Sequence, residues 1–164
     1  MVGFATALAE RGIDVVNFDF LYVAAGKRAP DRPPKLEACW RAAYDQARGE
    51  WPERLPFVGG KSMGGRIASM MVAAGQLEAA GLILLGYPLR PPKSDQLRAA
   101  HLGQLTVPTL VVQGQRDEFG GPDFVRPHFG PSAEVVGVRG GHSYDEAAWP
   151  EAEARVADFI LRAR

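Results

Sequence analysis

The chain has 164 residues, so we expect a single domain over residues 1–164 with room for a substantial core. It carries 19 basic and 19 acidic side chains, and this balance gives no general electrostatic reason to bind nucleic acid or an anionic membrane. One cysteine, Cys39, cannot form an internal disulfide. The residues after Met1 lack a basic stretch and a long apolar run. We therefore expect no signal peptide and no membrane span, and a cytoplasmic protein by default.

The first third of the chain predicts helix, strand and helix. Residues 2–11 have helical periodicity and end at Gly12, a plausible C-cap. Residues 13–19 alternate in the manner of a strand. A loop rich in proline and basic residues over 26–34 follows, and it favours a solvated segment over a binding patch. Residues 35–48 then predict an amphipathic helix.

The same alternation continues to the end of the chain. Short apolar runs predict four further strands, and helical periodicity predicts three further helices. The strands are expected at 56–59, 82–86, 109–113 and 133–138, and the helices at 63–74, 94–104 and 151–162. Strands joined by helical crossovers pair in parallel. The sequence therefore predicts an α/β fold with a mainly parallel sheet of about five strands, the last four adjacent in chain order, and helices on both faces.

A glycine-rich corner joins the second predicted strand to the helix that follows it. Its sequence places Gly60 two residues before Ser62 and Gly64 two residues after it. A sharp strand-to-helix turn that exposes a serine oxygen tolerates only small neighbours, so this spacing predicts a nucleophile elbow at Ser62. The alternative of a phosphate-binding loop needs a glycine where Leu55 stands, which disfavours nucleotide binding. A glycine-rich turn with an incidental serine remains the other interpretation.

Two later strands also end in reactive residue types. Asp117 follows the strand at 109–113, and His142 follows the strand at 133–138. Reactive groups gather at the carboxyl ends of parallel strands, so His142 can act as a base for Ser62 while Asp117 holds its imidazole. An aspartate after a strand is also a common turn residue. The carboxylates that could replace Asp117 are Glu118, Asp123 and Asp145.

The remaining candidates have smaller roles. The N–H of Met63, the residue after the candidate nucleophile, is the expected oxyanion donor. Tyr87 and Phe119 follow predicted strands at the same edge and are expected to form the wall of an acyl pocket. His101 and His128 are expected to be structural or exposed to solvent. No group of residues has metal-ligand spacing, and we expect no metal and no cofactor.

Four groups of residues resemble those of α/β hydrolases. They are residues 59–66, Gly86–Leu89, Asp117 and residues 140–143, and the similarity extends over nearly the whole chain. More narrowly, they resemble the dienelactone-hydrolase-related group. This resemblance implies a serine esterase or related acyl hydrolase that acts on a small molecule. Some members of the group serve as interaction domains, which leaves a catalytically impaired protein-binding module as the alternative.

The resemblance also implies a difference at the amino end. Members of the group carry, ahead of the helix matched by residues 2–11, further strands and a His-Gly loop whose N–H completes the oxyanion hole. We therefore expect a fold truncated at its amino end. Residues 13–19 must then close against 56–59 or leave two unpaired edges, whose buried N–H and C=O groups cost about 1–3 kcal/mol each. Low stability or self-association is the expected result.

Overall fold

The computed structural model describes residues 1–91 and 94–163. Its centre is a sheet of four parallel strands that lie side by side in chain order. The strands are β1 (Phe57–Lys61), β2 (Gly81–Leu85), β3 (Thr109–Gly114) and β4 (Ala133–Val138). The α/β class, the parallel pairing and the order of these four strands are confirmed. All four carboxyl ends therefore lie along one edge of the sheet.

Six α-helices and three short 3₁₀ helices surround the sheet in the described part of the chain. The α-helices are α1 (Val2–Ala9), α2 (Leu21–Ala24), α3 (Pro33–Glu50), α4 (Met63–Ala73), α5 (Pro122–Val125) and α6 (Trp149–Arg162). The 3₁₀ helices are Leu102–Gln104, Arg126–His128 and Glu146–Ala148. Proline stands in the first turn of α3, α5 and α6, where a missing N–H costs nothing. No helix within the described ranges is both long and apolar enough to cross a bilayer.

The two faces of the sheet bury two separate cores. Leu82 and Leu84 of β2 face the core that includes α3 and α4, whereas Ile83 and Leu85 face the core that includes α1 and α6. Successive side chains of a strand point to opposite faces, so a strand covered on both sides must be apolar throughout. Every residue of β2 and β3 is buried, which confirms that helices cover both faces.

The strand expected at residues 13–19 does not form. This segment has no regular secondary structure and, among the described residues, pairs with no strand of the sheet. A cavity of about 950 Å³ lies between it and β1, and the segment is held by its ends, since Ile13 and Phe20 are buried in the two cores. The alternating side chains predicted a strand, but in the described part of the chain no backbone hydrogen bond joins residues 14–19 to the sheet. The prediction of a strand here was wrong.

The helix expected at residues 94–104 is also absent, apart from the 3₁₀ turn Leu102–Gln104. The Arg98 N–H donates to the carbonyl of Leu89 at 2.8 Å, and the Arg98 carbonyl accepts the Tyr87 hydroxyl at 2.7 Å. These bonds tie the segment to the chain that follows β2. Contacts with a distant segment have therefore overridden its helical periodicity.

Candidate active site

The corner between β1 and α4 holds Ser62 in a strained backbone conformation. Its φ and ψ are 51° and −116°, in a region that residues with a side chain rarely adopt. The Ser62 N–H donates to the Leu85 carbonyl at 2.8 Å, and the Ser62 carbonyl accepts the N–H of Arg66 at 3.0 Å. The last bond of the sheet and the first turn of the helix thus meet at this one residue, which fixes the direction of its side chain.

Glycines near Ser62 let the end of β1 and the start of α4 lie close together. Of the two glycines expected to be required, only Gly60 is in a crowded position. A Cβ at Gly60 would lie 3.1 Å from the Gly64 carbonyl carbon and from the Gly65 nitrogen, which is tight. A Cβ at Gly65 would lie only 2.5 Å from the Gly60 oxygen. At Gly64 nothing lies within 4 Å. The steric requirement predicted for Gly64 therefore falls on the next residue, Gly65.

Ser62 and His142 contact each other directly. The Ser62 Oγ lies 2.8 Å from His142 Nε2, although the two residues are 80 positions apart in the chain. On its other side, His142 Nδ1 lies 2.9 Å from Asp117 Oδ2. An ionised carboxylate only accepts hydrogen bonds, so Nδ1 carries the hydrogen and Nε2 is free to accept the serine hydroxyl. The structure therefore brings together the three residues that the sequence singled out.

The carboxylate of Asp117 is fixed by two further donors. Its side chain is fully buried, its Oδ1 accepts the N–H of Phe119 at 2.9 Å, and its Oδ2 accepts Gln113 Nε2 at 2.9 Å. Asp117 rather than one of its substitutes faces His142. Glu118 is exposed, and Asp145 pairs with the exposed arginines Arg116 and Arg139.

Gln113, a fully buried residue of β3, was not among the site residues predicted from the sequence. Its Nε2 also donates to the carbonyls of Gly120 at 2.7 Å and Tyr87 at 3.2 Å, while its Oε1 accepts the Tyr87 N–H at 2.8 Å. One side chain thus joins the segments that follow β2 and β3 and orients Asp117. A glutamine at the end of an otherwise apolar strand was the available signal, because a buried amide must find partners.

The loop that carries His142 lies close against the end of β3. A Cβ at Gly114 would lie 2.1 Å from the Gly141 oxygen, so only glycine fits there. The Tyr144 hydroxyl donates to the Val112 carbonyl at 2.7 Å, and Tyr144 itself has a positive φ of 61°. Burial raises the pKa of this hydroxyl, which keeps it a donor. These contacts fix the height of His142 above the sheet.

The two residues expected at the pocket wall take different positions. The ring of Phe119 lies against the imidazole of His142, with 4.5 Å between the ring centroids. Tyr87 is only 1 % exposed and packs on Phe129 at 5.5 Å, so its ring belongs to the core beneath the site. Burial raises the pKa of Tyr87 to about 12. The backbone N–H and carbonyl of Tyr87 bond to the side chain of Gln113, which in turn bonds to Asp117.

The remaining expected residues lie as follows. Met63 begins α4, where the first N–H groups of a helix have no partner within the helix. His101 is half-buried against Ser69, with Nε2 2.8 Å from the serine oxygen; burial and then the charge of Arg66 lower its pKa to about 4. His128 lies against Phe124, away from Ser62. Within residues 1–91 and 94–163, no group of three metal-ligating side chains could hold an ion.

The cavity beside β1 opens onto the candidate nucleophile. Ser62 and Met63 both line it, together with the aromatic residues Phe18, Phe20, Trp40 and Tyr44. The Trp40 Nε1–H donates to the carbonyl of Gly64 at 3.0 Å, which joins α3 to the first turn of α4. The cavity therefore lies on the β1 side of Ser62, whereas His142 and Phe119 lie on the other.

Solved structures share this architecture at low sequence identity. An alpha-beta serine hydrolase homologue from Coxiella burnetii superposes with a TM-score of 0.70 at 22 % identity, over 98 % of this chain and 74 % of its own. A monoacylglycerol lipase from Paleococcus ferrophilus gives 0.66 at 12 % identity, over 84 % of this chain and 78 % of its own. A cold-adapted esterase from an Arctic intertidal metagenomic library gives a TM-score of 0.65 at 21 % identity, over 99 % of this chain and 77 % of its own. At these identities the likeness establishes the fold.

The sequence itself also matches a family model. The match to an alpha/beta hydrolase domain covers residues 1–153, and so includes Ser62, Asp117 and His142. Together with the parallel sheet and the corner at Ser62, this match shows that the chain belongs to the alpha/beta hydrolase domain family.

Proposed function

We propose that this protein is a serine hydrolase that cleaves a carboxylic ester or a related acyl bond of a small molecule. Ser62 is the nucleophile, His142 the general base and acid, and Asp117 the residue that orients the imidazole. The observation that carries the proposal is the pair of hydrogen bonds from His142, 2.8 Å to Ser62 and 2.9 Å to Asp117. Base and nucleophile within this distance, with the base held by a third group, form the arrangement that activates a serine.

The reaction proceeds in two halves. Ser62 Oγ attacks the acyl carbon as its proton passes to His142 Nε2, and the tetrahedral intermediate collapses when His142 returns that proton to the leaving alcohol. Water then attacks the acyl-serine by the same route and releases the acid. Asp117 stabilises the imidazolium that forms in each half. No metal or cofactor enters this scheme.

The oxyanion of the intermediate is held by the N–H of Met63. One such donor typically contributes about 2.7–4 kcal/mol to transition-state stabilisation. Met63 is the first residue of α4, so the positive end of the helix dipole also stabilises the oxyanion. Phe119, packed on His142, supplies one apolar wall for the acyl group.

A fluorophosphonate probe tests the assignment of the nucleophile. We expect it to label the wild-type protein at Ser62, because the probe phosphonylates serines that a neighbouring base activates, with loss of fluoride. Ser62→Ala should not be labelled. Ser143→Ala is the matched control, since Ser143 is exposed beside His142, and it should be labelled like the wild type. Mass spectrometry of the modified peptide identifies the site. A folded wild-type protein that remains unlabelled would contradict the proposal.

We infer a second candidate function from the free edge of β1, namely binding of a partner protein along that edge. The Pro56 carbonyl and the Ser62 N–H both bond toward β2, so alternate residues such as Gly59 direct their N–H and C=O toward the cavity. Each buried, unpaired group costs about 1–3 kcal/mol, and an added strand would satisfy several at once. This feature favours an interaction module, or self-association through the same edge.

Self-association should be visible as concentration dependence. We expect the isolated chain either to unfold at low temperature or to sediment as a larger species as its concentration rises. Val15→Lys, which places a charge on the rim of the cavity where Val15 is 38 % exposed, should reduce association. Analytical ultracentrifugation and thermal unfolding measure the two effects. A monomer at every concentration with a cooperative, high-temperature transition would contradict the prediction of self-association or low stability.

A further inference from the structure

The lysine before Ser62 reaches the loop that carries His142. Lys61 ends β1, and its Nζ donates a hydrogen bond to the main-chain carbonyl of His142. The same ammonium lies 5.3 Å from the centroid of the Tyr144 ring. Gly86, at the end of β2, leaves the space that this requires: a Cβ there would lie 2.8 Å from Lys61 Nζ and 3.4 Å from His142 Nδ1. The ammonium and the imidazole therefore border the same space above Gly86.

The surroundings of this ammonium are unusual for a lysine that only stabilises the fold. Burial lowers its pKa, and the nearby charges of Asp117 and Glu118 raise it only in part. None of the ion pairs among the described residues includes Lys61. Its hydrogen-bond partner is a neutral carbonyl. A partly buried cation without an ion pair is costly, and an apolar side chain of the same length would pack at lower cost.

Other contacts hold the loop on either side of His142. Before it, the Gly140 carbonyl accepts the N–H of Arg116 at 2.9 Å. After it, Tyr144 bonds to β3 and Asp145 pairs with Arg139 at 2.7 Å. In the described part of the chain, the bond from Lys61 is the one hydrogen bond made to the main chain of His142 itself. Its loss would therefore free the base more than it would free the loop.

We propose that Lys61 is a positioning residue that fixes the main chain of His142 relative to Ser62. Two consecutive residues then hold the same histidine. Lys61 bonds to the main-chain carbonyl of His142, and Ser62 bonds to Nε2 of the His142 ring. This inference rests on the proposed function, because it assigns a role in the same reaction.

The test compares Lys61→Met with the wild-type protein on p-nitrophenyl acetate. Methionine keeps the unbranched stem but neither donates nor carries charge, so we expect a folded protein whose kcat falls about 10- to 100-fold. KM should change by less than about twofold, because the substrate gains and loses no contact. Lys27→Met, at an exposed lysine, is the matched control and should match the wild type.

A second variant separates the hydrogen bond from the charge and serves if Lys61→Met does not fold. Lys61→Gln keeps a neutral donor on a shorter side chain, so we expect part of the lost kcat to return. An active wild type with unchanged kcat in the folded variants would overturn this inference alone. A folded wild type that neither turns over ester nor binds the fluorophosphonate would overturn the proposed function, and this inference with it.

Discussion

Asp117→Asn should lower kcat by about 10⁴-fold while the protein stays folded. Asp117 accepts hydrogen bonds at both oxygens, from Phe119 N–H at one and from Gln113 and His142 at the other. An asparagine amide must turn its NH₂ toward one of these donors. If it faces His142, the imidazole has to accept at Nδ1 and carry its hydrogen on Nε2. In that tautomer the ring cannot take the proton of Ser62. Steady-state kinetics on p-nitrophenyl acetate measures the loss.

The neighbouring carboxylate provides the control for this experiment. Glu118→Gln removes a charge one residue away, but Glu118 is exposed and makes no bond to His142 among the described residues. The kcat of Glu118→Gln should therefore stay within about threefold of the wild-type value, because solvent and salt screen a charge at the surface. Equal losses in both variants would show that the negative charge of the segment matters rather than the bond to His142. Such a result would contradict the role assigned to Asp117.

Gly65→Ala should destabilise the protein by roughly 1–3 kcal/mol or more, with a matching fall in Tm. The new Cβ would lie 2.5 Å from the Gly60 oxygen, so the first turn of α4 must move away from β1. Because Ser62 lies between these two elements, its oxygen should leave hydrogen-bond range of His142, and fluorophosphonate labelling should fall as well. Thermal unfolding followed by circular dichroism gives the first effect, and labelling at a temperature where the variant is folded gives the second.

Gly64→Ala is the matched control, since it makes the same substitution one residue earlier. Nothing lies within 4 Å of a Cβ at Gly64, and alanine favours a helix over glycine by up to about 1 kcal/mol. We therefore expect Tm to stay level or rise. A Gly64→Ala variant that is less stable than Gly65→Ala would mean that the second glycine of the Gly-x-Ser-x-Gly pattern carries the constraint, contrary to the geometry of this corner.

The sequence predicted the centre of the molecule well, for reasons visible in particular residues. The runs that became β2 and β3 were the clearest, because parallel strands covered on both faces are buried and largely apolar throughout, as in Gly81–Leu85. Ser62, Asp117 and His142 each follow such a strand. Since parallel strands end at one edge, residues 80 positions apart in sequence could be expected to meet.

The errors arose where distant contacts decide the structure. Residues 13–19 have the pattern of a strand, but a ladder also needs a partner, which a single segment does not reveal. Residues 94–104 have the pattern of a helix, yet Tyr87 and Leu89 take the hydrogen bonds of Arg98. The roles of Gln113, Lys61 and Gly65 depend on distances of about 3 Å or less between segments. Spacing along the chain does not encode such distances.

The cross-links of Gln113 have a mechanical consequence. This one amide fastens the segments after β2 and β3 to each other and to Asp117, and the Tyr144 hydroxyl fastens the histidine loop to the same strand. On the other flank of Ser62, residues 14–19 join no ladder and are held by packed aromatic side chains such as Phe18 against Trp40. Local opening requires the fewest broken hydrogen bonds on that flank. Under the proposed function, the side of the site that holds His142 and Asp117 is therefore the stiff one, and adaptation to differently shaped substrates falls to the aromatic side.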